Sequence, residues 1–473
     1  MPESQSPRPA AAAASVERDG LPQPQRWQAM LVIVLGIAMS VLDSTIVNLA
    51  LPGITRELHT NAAHAIWVVN AYQIATLVML LPLASLGDLI GYRRVYLSGM
   101  ALFTVSSLAA TFSHSLGLLI AARALQGLGA AGVMSVNSAL LRRVYPFALL
   151  GRGMAINSMV VAGSSVAGPT VSAAILSVAS WPWLFALNVP LGALVLALGN
   201  KSLPHNPPAK VSGSRFSALD VLLNMLMFTL FFVGVDRLGV DGHAGQSGGA
   251  GPWAILLAGV VVGYFYLRRQ VSLTLPLFPV DLMRIRVFAL SMGTSVGTFC
   301  AQTLSFVALP FMLLDTYGHS PFEAGLLLTV WPIATVIMAP FAGRLIGRYP
   351  DGLLGGIGLA LFTVGQALLA VLPAHPGNLD IAWRMALCGL GFGLFQSPNN
   401  HTIVTSPPPH RSGAASGMLG TARLTGQTLG AVVLAGIFSA WPPHEGKGQV
   451  IALAVAACFS AAAAVFSTLR TKK

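Results

Sequence analysis

Gly87-Asp88-Leu89-Ile90-Gly91 closes one apolar run of the chain, and Gly343-Arg344-Leu345-Ile346-Gly347 closes another, 256 residues later. A second echo lies inside two further runs. Ala124-Leu125-Gln126-Gly127-Leu128-Gly129 matches Ala386-Leu387-Cys388-Gly389-Leu390-Gly391 at five of six positions, at an offset of 262 residues. One such match in apolar sequence carries little weight. Two at nearly the same offset, in corresponding segments, imply a six-helix unit that has been duplicated. Parallel repeats of this kind, with a binding site between the halves, are a transporter architecture.

Composition sets the solvent. Of 473 residues, 55% are apolar and 9% are Asp, Glu, Lys or Arg, against about 25% charged in soluble domains. So few charges cannot cover a water-facing surface of this size, and so much aliphatic and aromatic residue excludes disorder. The expected class is an all-α polytopic membrane protein. A span needs roughly 20 apolar residues, and fourteen segments meet that: 28–49, 65–84, 95–113, 116–140, 153–177, 181–200, 217–235, 252–268, 286–314, 322–343, 352–372, 378–402, 412–437 and 448–468. Loops on the amino-terminal side hold 21 of the 27 Lys and Arg residues, the opposite loops 3. Basic residues gather in cytoplasmic loops, so both termini are expected in the cytoplasm. The net charge of +12 then requires no nucleic-acid partner.

The expected organisation is a disordered cytoplasmic tail (1–27), an N-terminal six-helix bundle (28–200), a cytoplasmic linker with two inserted transmembrane helices (201–285), a C-terminal six-helix bundle (286–468) and a short tail (469–473). The apolar run after the tail is too long for a signal-peptide core. Cys300, Cys388 and Cys458 lie far apart in apolar runs, without metal-ligand spacing, and read as inert thiols. The ten histidines fall mostly in outer loops, His59, His64, His114, His243, His319, His375 and His444 among them. No phosphate-cradling glycine loop with lysine and no nucleophile triad is present, so neither ATP-driven transport nor an enzyme is expected.

Several stretches carry a family resemblance. Residues 84–94, from Ala84 through Gly87-Asp88 to Arg93-Arg94, resemble the signature loop between helices 2 and 3 of the major facilitator superfamily. Arg123-Ala124-Leu125-Gln126-Gly127 resembles its helix 4 motif. Gly168-Pro169, with Gly163, Ser164 and Ser165 before it, resembles the antiporter motif of proton-coupled exporters. Leu42-Asp43-Ser44-Thr45-Ile46-Val47-Asn48-Leu49-Ala50-Leu51-Pro52 resembles the helix 1 signature of the fourteen-helix drug:proton antiporters (the EmrB/QacA-like branch), and Trp183-Leu184-Phe185-Ala186-Leu187-Asn188-Val189-Pro190 fits that branch too. The resemblance implies a major facilitator fold of two six-helix bundles plus two inserted helices. It also implies that Asp43 and Arg123 stand at the substrate cavity, and that Asp88, between Gly87 and Gly91, forms with Arg93 a charge latch that holds one conformation and releases in the other.

The residues themselves narrow the chemistry. Asp43 is the one carboxylate well inside a span, about seven residues from the outer end of its segment; Arg123 lies at similar depth in span 4. Ionisable groups in the membrane interior usually pair and face a cavity. Asp43 is therefore the expected proton acceptor and Arg123 its partner. Gly168-Pro169 interrupts the hydrogen bonding of span 5 and admits a close partner helix. Candidate cavity residues are Asn48, Asn70, Tyr72, Gln73, Gln126, Asn157, Gln302, Trp331, Gln396 and Asn400. Arg423 in span 13 either faces the cavity or snorkels between the halves. Spans 9–14 carry no clear mid-membrane carboxylate.

The expected activity is proton-coupled export of drugs or other toxic amphipathic molecules across a bacterial inner membrane by alternating access. One proton crossing about 150 mV supplies roughly 3.5 kcal/mol, enough for a gradient near 300-fold at about 1.4 kcal/mol per decade. The expected partners are a small-molecule substrate, protons and the bilayer, with no cofactor or metal. A monomer is expected, and periplasmic adaptors are left open. Rival readings are transport of a specific metabolite by the same fold and, in another class, a non-transporting receptor or scaffold.

Overall fold

The computed structural model describes residues 20–146, 149–204, 217–241, 250–273, 276–408, 412–443 and 446–470. The expected tail lies outside these as far as residue 19, as do residues 205–216 of the linker, residues 471–473, His243 and His444. The first helix already begins at Gln25, so the tail is shorter than expected.

Among the described residues there are fourteen long helices and no β-strand. They are α1 (Gln25–Ile46), α2 (Trp67–Ile90), α3 (Tyr92–Thr111), α4 (Leu116–Val144), α5 (Leu150–Leu176), α6 (Asn188–Ser202), α7 (Ala218–Asp241), α8 (Ala250–Val271), α9 (Arg286–Phe311), α10 (Pro321–Leu345), α11 (Asp351–Ala370), α12 (Asn378–Thr405), α13 (Ser412–Ala440) and α14 (Lys447–Leu469). Eleven stretches of the described residues are long and apolar enough to cross a membrane. The long helices outside that set are α3, α12 and α13. They carry polar groups that the fold buries, among them Ser106 and Ser107, Asn399, and Thr421 and Thr428.

The first span is longer than its sequence boundaries suggest. After α1 the chain passes through a 3₁₀ turn, Asn48–Ala50, into a short helix, Leu51–Glu57, that has Pro52 in its first turn. Proline is tolerated there because that N–H has no helical partner in any case. The apolar stretch so formed runs 33 residues, Gln25–Glu57. Asp43 thus sits 14 residues before its end, about 21 Å at 1.5 Å per residue, well below the depth that a span ending at residue 49 would give.

The internal echoes are matched pieces of geometry. Gly91 (φ +100°) and Gly347 (φ +83°) each turn the chain at the same end of a repeat, in a backbone region open to glycine. On α2 and α4, Thr76 donates to Gly127 O at 3.1 Å; on α10 and α12, Thr335 donates to Gly389 O at 3.1 Å. A β-carbon on Gly127 would run into Tyr72 O, and one on Gly389 into Trp331 O. Only a residue without Cβ allows these crossings, and that is why the glycines recur at one offset.

Apolar packing differs at the two faces of the molecule. At the face bearing Arg56, one cluster joins the first six helices to the last six: Ile46, Leu49, Ile54 and Val69 pack with Phe299, Val307, Leu313 and Leu328. Arg56 pairs there with Asp315 at 3.9 Å, and Thr170 on α5 bonds Thr329 on α10 at 2.6 Å. Toward the face bearing Gly91 the core separates. One cluster comes from residues 29–203, another from residues 282–422. The molecule is closed at the Arg56 face.

The inserted helix α7 lies along the seam between the groups. Asp236 accepts from Trp67 Nε1 on α2 at 2.9 Å, Asn224 donates to Val78 O at 2.7 Å, and Phe232 packs with Ile74 of α2 and Leu424 of α13. Behind α7, α8 turns Trp253, Leu257, Tyr264 and Phe265 outward. This is the surface expected of a helix facing lipid.

Candidate functional site: a central cavity and a buried charge network

A cavity of about 600 Å³ lies between the two helix groups. It is lined by eight of the residues expected there: Asn48, Tyr72, Gln73, Asn157, Gln302, Trp331, Gln396 and Asn400. Both sides present polar groups, Ser44, Asn48, Gln73 and Asn157 on one and Gln302, Gln396 and Asn400 on the other, but Phe299, Phe306, Trp331 and Phe392 all come from the α9, α10 and α12 side. Phe306 and Trp331 pack tilted with centroids 4.7 Å apart, and Phe299 and Phe392 pack edge against face at 5.6 Å.

Two expected lining residues are elsewhere. Asn70 is fully buried one turn from Gln73, and Gln126 is fully buried among α1, α3 and α4. With 3.6 residues per turn, a polar residue on an apolar helix can face any neighbour. Asn70 is buried within the first group of helices and does not line the cavity. Trp67 lines a different, smaller cavity beside α7, with Asp236 and Arg237.

Asp43 and Arg123 are together, though not in the cavity wall as the resemblance implied. Asp43 is 0% and Arg123 1% exposed. Arg123 Nη1 lies 2.5 Å from Asp43 Oδ2 and 2.6 Å from Gln126 Oε1, and Nε donates to Val68 O at 3.0 Å. Asp43 Oδ1 accepts from Gln126 Nε2 at 2.9 Å and from Asn188 Nδ2 at 2.7 Å. Gln126 Nε2 also reaches Ser107 Oγ at 2.8 Å. Both carboxylate oxygens are therefore partnered, as burial of a charge demands. Tyr72 stands between this network and the cavity. It lines the cavity, its ring lies 4.3 Å from the Arg123 guanidinium carbon, and its hydroxyl donates to Ser40 O at 3.0 Å. Asn188 and Ser107 were not singled out from sequence as members of the network. Asn188 stands in the Trp183–Pro190 stretch that drew attention for another reason.

The second repeat holds a neutral counterpart. An offset of 262 residues carries Asp43 to Ser305 and Gln126 to Cys388. There, Gln366 on α11 donates to Ala301 O at 3.0 Å and to Ser305 Oγ at 2.9 Å, and accepts from Ser460 at 2.8 Å. Among the described residues, the fully buried ion pair belongs to the first repeat.

The remaining motif residues divide. Gly168 lies against Thr45 of α1, and Pro169 O lies 3.0 Å from a β-carbon placed on Gly325 of α10. This is the close approach expected of the span 5 motif. Gly163 departs from that expectation, because a β-carbon there would meet nothing within 4 Å. At the α2–α3 turn, Gly87 packs on Val136 and Tyr92. Arg93 donates to the side chain and backbone of Asn200. Asp88 is exposed and accepts from Tyr92 Oη at 2.7 Å; among the described residues no cation lies within ion-pair distance of it.

Residues 33–431 match the Major Facilitator Superfamily, and residues 290–472 match it a second time. The chain belongs to this superfamily. It is a transporter and a multi-pass membrane protein. The second match starts near α9, where the repeat begins. The chain is 51% identical to the uncharacterized transporter YebQ of Escherichia coli (strain K12), over 96% of this chain and 98% of that one. It is 30% identical to the multidrug resistance protein Stp of Mycobacterium tuberculosis (strain CDC 1551 / Oshkosh), over 88% and 77%. It is 28% identical to the riboflavin transporter RibZ of Clostridioides difficile (strain 630), over 88% and 89%. The fold is also that of the POT family transporter PepTSo, with a TM-score of 0.70, 14% identity, and coverage of 94% of this chain and 97% of that one.

Proposed function

We propose that this transporter is a fourteen-span, proton-coupled antiporter of the inner membrane, with both termini cytoplasmic. It exports amphipathic small molecules by rocking of two bundles, 28–200 and 286–468, about the central cavity. The observation that carries this reading is the Asp43 site: one carboxylate, fully buried, held by Arg123, Gln126 and Asn188 directly behind a residue that lines the cavity. Neutralising Asp43 removes the charge that holds Arg123 at the midpoint of the first bundle. Arg123 is then free to redistribute among Gln126, Val68 O and the Tyr72 face, all of them existing contacts. Substrate in the cavity and a proton on Asp43 thus share the Tyr72 wall without occupying one space.

The closed Arg56 face supports a state that opens toward the Gly91 face. In that state Asp88 has no ion-pair partner among the described residues, as expected of a latch that has let go. The similarity to an exporter named for multidrug resistance supports the direction of transport. The similarity to a riboflavin transporter keeps a specific metabolite as the second reading.

The test is substrate-induced collapse of an imposed pH gradient in everted vesicles, across a panel of amphipathic dyes and antibiotics. Wild-type vesicles should release the gradient on addition of a transported compound, and Asp43→Asn vesicles should not. Gradient collapse by Asp43→Asn at the wild-type rate would remove Asp43 as the proton carrier.

A further inference from the structure

Arg423 carries a charge that the network around Asp43 does not use. It lies on α13 and lines the cavity. Its Nε is buried without a hydrogen-bond partner, and among the described residues its guanidinium makes no ion pair. Apart from Tyr72, no other lining residue among the described ones is ionisable: there is no Asp, Glu, His or Lys among them. The nearest buried carboxylate is already satisfied. Asp43 spends Oδ2 on Arg123 and Oδ1 on Gln126 and Asn188, with Tyr72 between it and the cavity. Among the described residues of the last six helices, no carboxylate lines the cavity.

A second unpaired donor belongs to a residue of the same wall. The Trp331 side chain lines the cavity while its Nε1 is buried without a partner. Around it stand Phe299, Phe306 and Phe392. A cavity with one uncompensated cation and a cluster of rings is complementary to a flat ligand that carries negative charge. Buried charges are stable only when paired, and a guanidinium binds carboxylate or sulfonate oxygens through two parallel hydrogen bonds.

We propose that the central cavity binds aromatic organic anions, with Arg423 as the counter-ion. This rests on the reading of the cavity as the transport site and names its substrate class. It does not depend on which residue carries the proton. An anionic phospholipid headgroup offers the same chemistry as a soluble organic anion, and the test separates the two.

The experiment is equilibrium binding to the purified full chain in nanodiscs, read by tryptophan fluorescence. It uses three probes of one shape: 2-naphthoate, 2-naphthamide and 2-naphthylmethylammonium. In phosphatidylcholine discs the anion should bind at least tenfold more tightly than the cation, with the amide between. Arg423→Gln should bring the three within about twofold, and Arg423→Lys should keep the order. Equal or tighter binding of the cation by the wild type overturns the proposal, and this arm needs no variant to fold. An undiminished preference in Arg423→Gln also overturns it. If adding phosphatidylglycerol weakens naphthoate binding to the wild type but not to Arg423→Gln, the headgroup is the anion; if it does not, a soluble organic anion is. Because no gradient is imposed, failure here leaves the Asp43 test standing, and failure there leaves this one standing.

Discussion

Gly325 on α10 packs closely on α5 of the other helix group at the closed face, and its replacement tests whether that contact sets the conformational balance. A β-carbon on Gly325 overlaps Ala173 Cβ on α5 and lies 3.0 Å from Pro169 O and 3.4 Å from Ala173 Cα. Carbon atoms pack at about 3.5–4.0 Å, so Gly325→Ala forces α5 and α10 apart. Overpacking of this kind costs about 1–3 kcal/mol. At about 1.4 kcal/mol per tenfold, the closed state loses roughly five- to 150-fold in population relative to a state open there. Spin labels at Glu57→Cys and Thr316→Cys, in a Cys458→Ser background, report the separation across this face. Gly325→Ala should shift their distance distribution to longer values. Ala173→Gly removes the overlapping atom and should restore the short distance in the double variant. Unchanged distances in Gly325→Ala, or no rescue by Ala173→Gly, would refute the argument that this crossing holds the face shut.

Other consequences follow from single contacts. Arg123→Met leaves Asp43 a buried, unpaired charge, and breaking such a pair costs about 3–5 kcal/mol. Asp43→Asn should cost less, because Arg123 still donates to Gln126 and Val68 O; the order of the thermal unfolding midpoints in detergent checks this. Gly91→Ala imposes a β-carbon at φ +100°, a strain of about 1–3 kcal/mol, and should lower the midpoint, whereas Gly163→Ala, in open space, should leave it unchanged. Trp67→Phe removes the hydrogen bond to Asp236 that ties α7 to α2. A bond to a charged group is worth about 1.5–3 kcal/mol, and the loss should appear as faster hydrogen exchange in α7.

Much of the fold was legible as pattern. Each of the fourteen apolar segments coincides with one long helix, and eleven stretches of the described residues are long and apolar enough to cross a membrane. The repeat was legible for a steric reason. Helix crossings as close as Gly127 on Tyr72 and Gly389 on Trp331 exclude any side chain, so the glycines recur at a fixed offset. Asp43 and Arg123 were legible as partners because isolated charges at that depth are too costly. The extension of the first span was not, because Pro52 and the polar residues around it read as a loop and only their packing makes them a helix.

The sequence by itself determined the solvent, the helix pattern, the duplication and the paired interior charges, all of which follow from composition, run length and the cost of burying charge. Tertiary structure alone decided which polar side chains share a cavity: it placed Gln126 behind the wall with Asp43, turned Asn70 away, and brought Arg423 in without a partner. The physical reason is rotational. Successive residues of a helix point about 100° apart, and an almost uniformly apolar helix has no sequence-level marker for which direction meets the other bundle.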